Sequence, residues 1–396
     1  MKMKGYDEIH FWQLPLELMW FKLESKVRRD LLIKARQHFG SWAGTARFLN
    51  GKSRKYGLTR KYTGRSISRL FHEHKGSRKY IPGWVIFESA KVIGYDLELI
   101  EKNIESCEYF GGHYKIKLKI PILVTPELVS LVANLMGDGF VPLECAPSVT
   151  SYYKQYDAEA LNKFKQKLRN VFGEYLDACN SEIAVNIPRI YVRIIARYFD
   201  IHSFYWHDTR VPEKIKKMPK NFKIAFLSAF IVDEGTVGQS RIAIFSGNKK
   251  LLEDIRKIAS SLEYECSSIL KQHATEYYFL IYMASAGKLL QDVKEVAKDF
   301  PTCDLCHKQR KLESMVQIQT REWKQRKIGE PKKLILQALA RSPKTASELS
   351  NEMFLSESTV RWHLRRLLKE NLIRMISKHG RNSVWGLVEN GQVAAA

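Results

Sequence analysis

Two stretches of the chain write the same helix twice. Leu131-Val132-Ala133-Asn134-Leu135-Met136-Gly137-Asp138-Gly139 and Leu227-Ser228-Ala229-Phe230-Ile231-Val232-Asp233-Glu234-Gly235 are each an apolar helical run with small residues that stops at an acid followed by Gly. The acids, Asp138 and Glu234, lie 96 positions apart. That separation holds one small α/β unit, so the chain is expected to contain a duplicated fold with two matched carboxylates. An acid at a helix C-terminus meets the negative end of the helix dipole. Two such acids brought together repel, and their proton affinity rises unless a cation is bound. Mg²⁺ prefers oxygen ligands and keeps waters, so a paired-carboxylate site suits metal-assisted phosphodiester hydrolysis.

The patterning around the motifs repeats as well. Thr125-Pro126-Glu127 opens the first motif helix with an N-cap residue, Pro in the first turn and an acid near the positive dipole end. Strand character follows from Phe140 to Tyr153, a helix from Ala158 to Phe172, a strand over Ile183–Ile187 and a short helix near Ile194 to Phe199. After Glu234 the order recurs: a strand over Arg241–Phe245, a helix from Lys250 to Leu262, a strand over Tyr277–Met283 and a helix from Gly287 to Phe300. Both halves fit helix, two strands, helix, two strands, helix. The segment from Lys214 to Lys223, with Pro212 and Pro219, is the basic joint between them.

These motifs resemble the signature of the LAGLIDADG homing endonucleases over roughly residues 121 to 320, and Arg210-Val211-Pro212-Glu213-Lys214-Ile215 is similar to the family's inter-repeat segment. The resemblance implies a duplicated αββαββα core whose two motif helices pack side by side, with Ala133, Gly137 and Ala229 letting the backbones approach. It implies that Asp138 and Glu234 bind metal at the scissile phosphates, with Gly137 and Asp233 beside them. Asp233 stands where the family usually has a small residue, and so adds a charge. It also implies assisting lysines, for which Lys271 and Lys154 are the candidates. Mg²⁺ is the expected cofactor, with Mn²⁺ able to substitute. The chain opens on Met and lacks a terminal His-Asn, so it is expected to be free-standing and not an intein.

The formal net charge of +23 points to a polyanionic partner, with double-stranded DNA first. Between Arg47 and Lys79 eleven Lys or Arg face one acid, Glu73. Residues 1–110 are expected to form a basic helical domain of helix-turn-helix type. Its helices would include Leu31–His38, Trp42–Leu49 and one capped by Thr63, and its DNA contacts would be Arg60, Lys61, Arg65, Ser66 and Arg69. A polar loop is expected at Asn50–Gly57, a boundary at Gly111-Gly112 and an exposed strand or linker over Lys115–Ile120.

Residues 331–390 read as helix, helix, recognition helix and wing, a winged helix-turn-helix. Thr345-Ala346-Ser347-Glu348 has the form of a capping box. Ser356, Ser358, Thr359, Arg361, Arg365 and Arg366 on the recognition helix, with Lys378 and Arg381 on the wing, would reach bases or phosphates. Trp362 and Trp385 are expected in its core. The full expectation is an α+β chain of four segments, 1–110, 121–215, 216–325 and 331–390.

Cys303-Asp304-Leu305-Cys306 lacks the second pair that zinc would need, so reduced thiols are expected. No apolar run is long enough to span a membrane. The chain is expected to act as a monomer in the cytoplasm, on the nucleoid. The leading functional expectation is a metal-dependent, site-specific DNA endonuclease. A silent transcription regulator on the same scaffold and an RNA intron maturase are the alternatives.

Overall fold

The computed structural model describes residues 6–59, 61–71, 79–109, 115–143, 150–173, 181–238, 240–273, 275–320, 330–353, 355, 357–379 and 382–388. Arg60, Gly111-Gly112, Ser356 and Arg381 lie outside the described residues. The chain divides into two compact units, Met1–Leu312 and Glu313–Ala396.

The first unit begins with strands β1 (Glu8–Ile9) and β2 (Met19–Leu23) and helices α1 (Ser25–His38), α2 (Trp42–Ser53) and α3 (Gly64–Phe71). Strand β3 (Ile81–Pro82), helices α4 (Gly83–Ile93) and α5 (Leu97–Lys102) and strands β4 (Ile104–Tyr109) and β5 (Lys115–Ile116) follow. Strands β3, β2, β4 and β5 form an antiparallel sheet in that order. The segment is mostly helical among its described residues, as expected, but it is not helical throughout, and the sheet is an element not expected from the sequence. Strand β2 buries alternate residues, Met19, Phe21 and Leu23, and presents its other face through Trp20 and Lys22. Asn50–Gly57 is not a loop either: α2 runs to Ser53 and a 3-10 turn (Arg54–Tyr56) completes it.

Caps follow the expected chemistry. The Gly44 amide donates to Ser41 Oγ at 3.0 Å, and the Thr63 and Ser66 hydroxyls accept from one another's amides at 2.8 and 3.1 Å. Buried Arg28 on α1 donates from Nε to Leu70 O at 3.1 Å and from Nη1 to Lys79 O at 3.0 Å. It joins three parts of the segment from inside the core.

Strand β6 (Ile122–Leu123) pairs with β1, tying the start of the chain to the first repeat. Helix α6 (Pro126–Met136), strands β7 (Gly139–Phe140) and β8 (Ser151–Lys154), helix α7 (Ala158–Phe172), strand β9 (Ala184–Ile187) and helix α8 (Arg189–Phe199) make that repeat. Helix α9 (Glu213–Lys216) lies in the joint. The second repeat is α10 (Lys220–Glu234), β10 (Gly235–Val237), β11 (Arg241–Ser246), α11 (Lys249–Ser261), β12 (Leu270–His273), β13 (Glu276–Tyr282) and α12 (Ala286–Asp299). Its sheet runs β10-β11-β13-β12, whereas the first repeat shows β7-β8-β9. The second half thus carries helix, two strands, helix, two strands, helix. The first has one strand after α7 among the described residues, one fewer than expected.

The two motif helices, α6 and α10, pack more extensively than any other pair of described elements. Every residue of α6 is buried, so the helix is wrapped on all sides. Pro126 starts it in the first turn, as expected, but Thr125 at the N-cap position makes no side-chain cap bond. Arg210 fastens the joint with a forked bond to fully buried Asp254 on α11, at 2.7 and 2.8 Å.

Helix α13 (Gln309–Thr320) leads into the second unit. That unit contains α14 (Glu330–Arg341), β14 (Lys344–Thr345), α15 (Ala346–Met353), α16 (Glu357–Lys369), β15 (Ile373–His379) and β16 (Asn382–Leu387), with sheet order β14-β16-β15. Its own core joins Ile335, Leu339, Leu349, Met353, Val360, Leu364 and Leu367. The capping box forms: the Thr345 amide donates to Glu348 Oε2 at 2.7 Å and the Glu348 amide to Thr345 Oγ1 at 3.2 Å. Trp385 packs against this core as expected, but Trp362 does not. Trp362 is 54% exposed, because it lies on the outer face of α16 between Arg361 and Arg366.

Candidate active site

The acid-Gly ends of α6 and α10 meet at the helix interface. At Gly137 an added Cβ would fall 2.9 Å from the Asp233 Cβ, so only glycine lets the second helix come this close. The glycines after the acids also serve close approach. A Cβ on Gly139 would lie 2.5 Å from Leu135 O, and one on Gly235 would lie 2.6 Å from Ile231 O. Neither residue has a positive φ, so neither is a left-handed helix cap.

Asp233, supplied by the second repeat, is held almost wholly by the first. Tyr153 on β8 donates its hydroxyl to Oδ1 at 2.6 Å, and Asn134 on α6 donates to Oδ2 at 2.8 Å. Lys167 on α7 in turn donates to Asn134 Oδ1 at 3.1 Å. Gln155 donates from Nε2 to Asp138 Oδ2 at 2.9 Å and reaches Asp233 Oδ1 at 3.5 Å. Its own Oε1 accepts from the Tyr156 amide at 3.0 Å, which fixes which end of the amide faces the acids. Among the described residues no hydrogen bond or ion pair engages the Glu234 carboxylate.

The acids feel one another. Burial, with the charge of Asp138 second, pushes Asp233 up to about 8. Burial and then Asp138 push Glu234 up to about 7, against the pull of Lys308. Asp138 is raised by burial, and Lys308 and Gln155 draw it back down. Lys308 is the cation at this cluster. Its Nζ donates to Ile231 O at 2.9 Å, Val232 O at 2.5 Å and Gly235 O at 2.7 Å, taking up the carbonyls that α10 leaves at its end. Burial lowers its pKa, partly offset by Asp233 and Asp138.

Lys308, Gln155, Tyr153 and Asn134 are not among the residues picked out from the sequence. The nearest signal to Lys308 was the Cys pair. Cys303 and Cys306 are buried free thiols in two 3-10 turns (Pro301–Cys303 and Cys306–Lys308) that pack beside α7. They anchor the segment that delivers the lysine. The neighbouring group of Glu159, Asp304 and Cys306 is already closed by Lys163, which sits 2.7 Å from Glu159 and 2.6 Å from Asp304.

Asp138, Glu234, Gly137 and Asp233 are therefore brought together. Lys154 lines the cavity that opens at Asp138. Lys271 stands on the outer strand β12, every residue of which is exposed, and does not line that cavity. Lys61, Arg65 and Arg69 are exposed, the last two one turn apart on α3, while the Ser66 hydroxyl is engaged in the cap. On α16, Ser358, Arg361, Arg365 and Arg366 are exposed and Thr359 half-buried, and Lys378 is exposed on β15. Arg361 Nε pairs with Glu357 at 2.9 Å.

The donors fit a hard divalent cation. They are carboxylate oxygens only, they resist ionising together, and one of them has no competing partner among the described residues.

Residues 330–374 match the family described as bacterial regulatory protein, arsR family. A component of the A-type ATP synthase of Methanopyrus kandleri is 20% identical over 208 residues, which make up 52% of this chain and 20% of that protein. The chain thus spans about a fifth of the length of this curated relative. Among solved structures, I-DmoI in complex with DNA and Mn is similar at a TM-score of 0.32 and 16% identity, over 42% of this chain and 95% of that one. Variants of the homing endonuclease I-DmoI give 0.33 and 16%, over 43% and 96%. Full-length DUF199/WhiA from Thermatoga maritima gives 0.31 and 11%, over 62% and 91%. No described helix is long and apolar enough to cross a membrane.

Proposed function

We propose that this chain is a metal-dependent, site-specific endonuclease of double-stranded DNA, organised in the four segments 1–110, 121–215, 216–325 and 331–390. One observation carries the proposal: Asp138 and Glu234 sit at matched ends of two packed helices, electrostatically coupled, inside a strongly basic chain. Mg²⁺ or Mn²⁺ at these acids would supply charge neutralisation at the phosphate and an activated water. Asp138 and Glu234 would hold the cation. Asp233 keeps the two repeats in register and adds negative charge behind them. Gln155 orients Asp138. Lys308 holds the end of α10 and keeps the cluster's charge from growing further. Lys154, which lines the cavity at Asp138, is the candidate to meet a phosphate, and Lys271 is the weaker candidate for that role. The basic residues of α3 and α16 extend the contact along the duplex, with Arg60, Ser356, Arg381 and Lys378 completing the two readers. The protein works as a monomer, since both acids come from one chain, and it acts on the nucleoid in the cytoplasm.

A second reading is a transcription regulator that binds DNA without cutting it, and the arsR-family match at residues 330–374 favours it. Selection from a randomised duplex library in Mg²⁺, sequencing bound and cut molecules, separates the two. Asp138→Asn and Glu234→Gln keep shape and remove charge, so each should abolish double-strand cleavage and leave affinity nearly unchanged. Parent-level cleavage by both would remove the catalytic assignment. Tight binding with no cleavage in Mg²⁺ or Mn²⁺ by the unmodified protein would leave the regulator.

A further inference from the structure

The cavity at Asp138 is lined by Phe140, Tyr152, Lys154, Tyr156, Tyr205 and Trp206, among others. Tyr156, 77% exposed, and Trp206, 61% exposed, are the two most exposed large hydrophobic side chains of the described residues. They stand at one place, beside a carboxylate. Trp206 is seated there: a Cβ on Gly247 would fall 2.9 Å from its six-membered ring, so glycine makes room for it. His207 packs edge-on against the same ring, with centroids 5.4 Å apart. Lys154 Nζ lies 5.2 Å from the centre of the Tyr156 ring. The result is two largely exposed rings lining one cavity, with a cation over one of them and the Asp138 carboxylate in the same wall.

Apolar packing within the protein does not use these faces. A nucleobase would, because every base has a π-face and stacking on an aromatic side chain needs no particular sequence. Paired bases in a duplex are already stacked, so the ring faces can be used only by a base that has left its neighbours. The lysine supplies the charge that the accompanying phosphate requires. We propose that Trp206 and Tyr156 form a stacking site for a base displaced from the duplex next to the phosphate that Asp138 addresses. This rests on the DNA reading above and adds that the bound DNA is locally unstacked.

The test uses the full chain and a duplex recovered by the library selection, with 2-aminopurine placed in turn at each position around the cut or the footprint centre. Ca²⁺ replaces Mg²⁺ to hold the complex. The expected result is a change in 2-aminopurine emission, as its stacking partner is exchanged, confined to one or two positions. Trp206→Ala and Tyr156→Ala should each reduce that change and weaken binding by roughly five- to 150-fold. Trp206→Phe should keep most of both. The replaced side chains are exposed, and unchanged far-ultraviolet dichroism and melting would show that the fold is intact. Parent-like emission and affinity in both alanine variants would overturn the proposal while leaving the nuclease reading standing. A ring-dependent signal in a protein that never cuts would uphold it and remove the nuclease reading. Retention of no duplex would remove both.

Discussion

Asp233 departs far from the chemistry of an ordinary carboxylate at a helix end. It belongs to α10 and is bound by Tyr153 and Asn134 of the other repeat, so it links the halves that it also charges. Folding raises its carboxyl to about 8 and that of Glu234 to about 7. The folded state then binds these protons more tightly than the unfolded one. Without divalent cation, stability should therefore fall as pH rises from the ordinary carboxylate range to about 8, and should level off above it. Melting in EDTA should be higher at pH 6 than at pH 8.5, Mg²⁺ should recover more at the higher pH, and Asp233→Asn should flatten the slope. An EDTA melting point that rises over this range would mean that the acids are not held together. Lys308 opposes them from its three carbonyls. Lys308→Met leaves those three carbonyls without their donor and removes the cation that acts on Asp138, Asp233 and Glu234 alike, and should cost about 2–3 kcal/mol in chemical denaturation. Lys308→Arg should recover only part, because a planar guanidinium cannot aim three protons at one cluster of carbonyls as an ammonium does. A loss below about 0.5 kcal/mol for Lys308→Met would show that water replaces the lysine without penalty.

At the scale of the elements, the acid-Gly signature is explained by contact and not by backbone handedness. The strand that leaves each motif helix turns back over the helix's last turn, and a Cβ on Gly139 would meet Leu135 O at 2.5 Å and Leu135 Cα at 2.6 Å. Gly139→Ala and Gly235→Ala should each destabilise by about 2 kcal/mol or more, since the clashing atoms are backbone and cannot swing away. Gly51→Ala, on the exposed side of α2 with nothing within 4 Å of its Cβ, should be neutral or slightly stabilising. If all three melt alike, the close approach is not a constraint. This explains what was legible in sequence. The motif helices, α7, α11, α12 and β13 carry long apolar periodicity and match the expected spans closely. Strands β10 and β12 do not: one has three residues, and the other, Leu270–His273, is exposed throughout and shows no alternation. The N-terminal sheet was missed because Met19–Leu23 suits helix or strand equally and is made a strand by its pairing with β3 and β4.

For the whole molecule, repetition made Asp138 and Glu234 legible, whereas their supports come from chain that is distant in sequence. Lys308 reaches a carbonyl 77 positions away and Tyr153 an acid 80 positions away, distances at which no local pattern operates. The same separation makes the second unit testable alone. Its residues bury a core of their own around Leu349, Val360 and Leu364, and Thr345 and Glu348 cap α15 without help from the first unit. Cutting the chain after residue 320 should therefore leave a folded first unit that still cleaves in Mg²⁺, because Asp138, Asp233, Glu234 and Lys308 all precede the cut. What it should lose is reach. With Arg361, Arg365, Arg366 and Lys378 gone, fewer phosphates are met, so affinity should fall and its salt dependence should become shallower by about 0.9 in log K per log salt for each contact removed. Footprinting and cleavage of the shortened protein on the selected duplex measure both. A shorter footprint with cleavage retained is the expected outcome. An unchanged footprint and salt slope would mean that the winged unit, despite its basic helix, meets some partner other than this DNA.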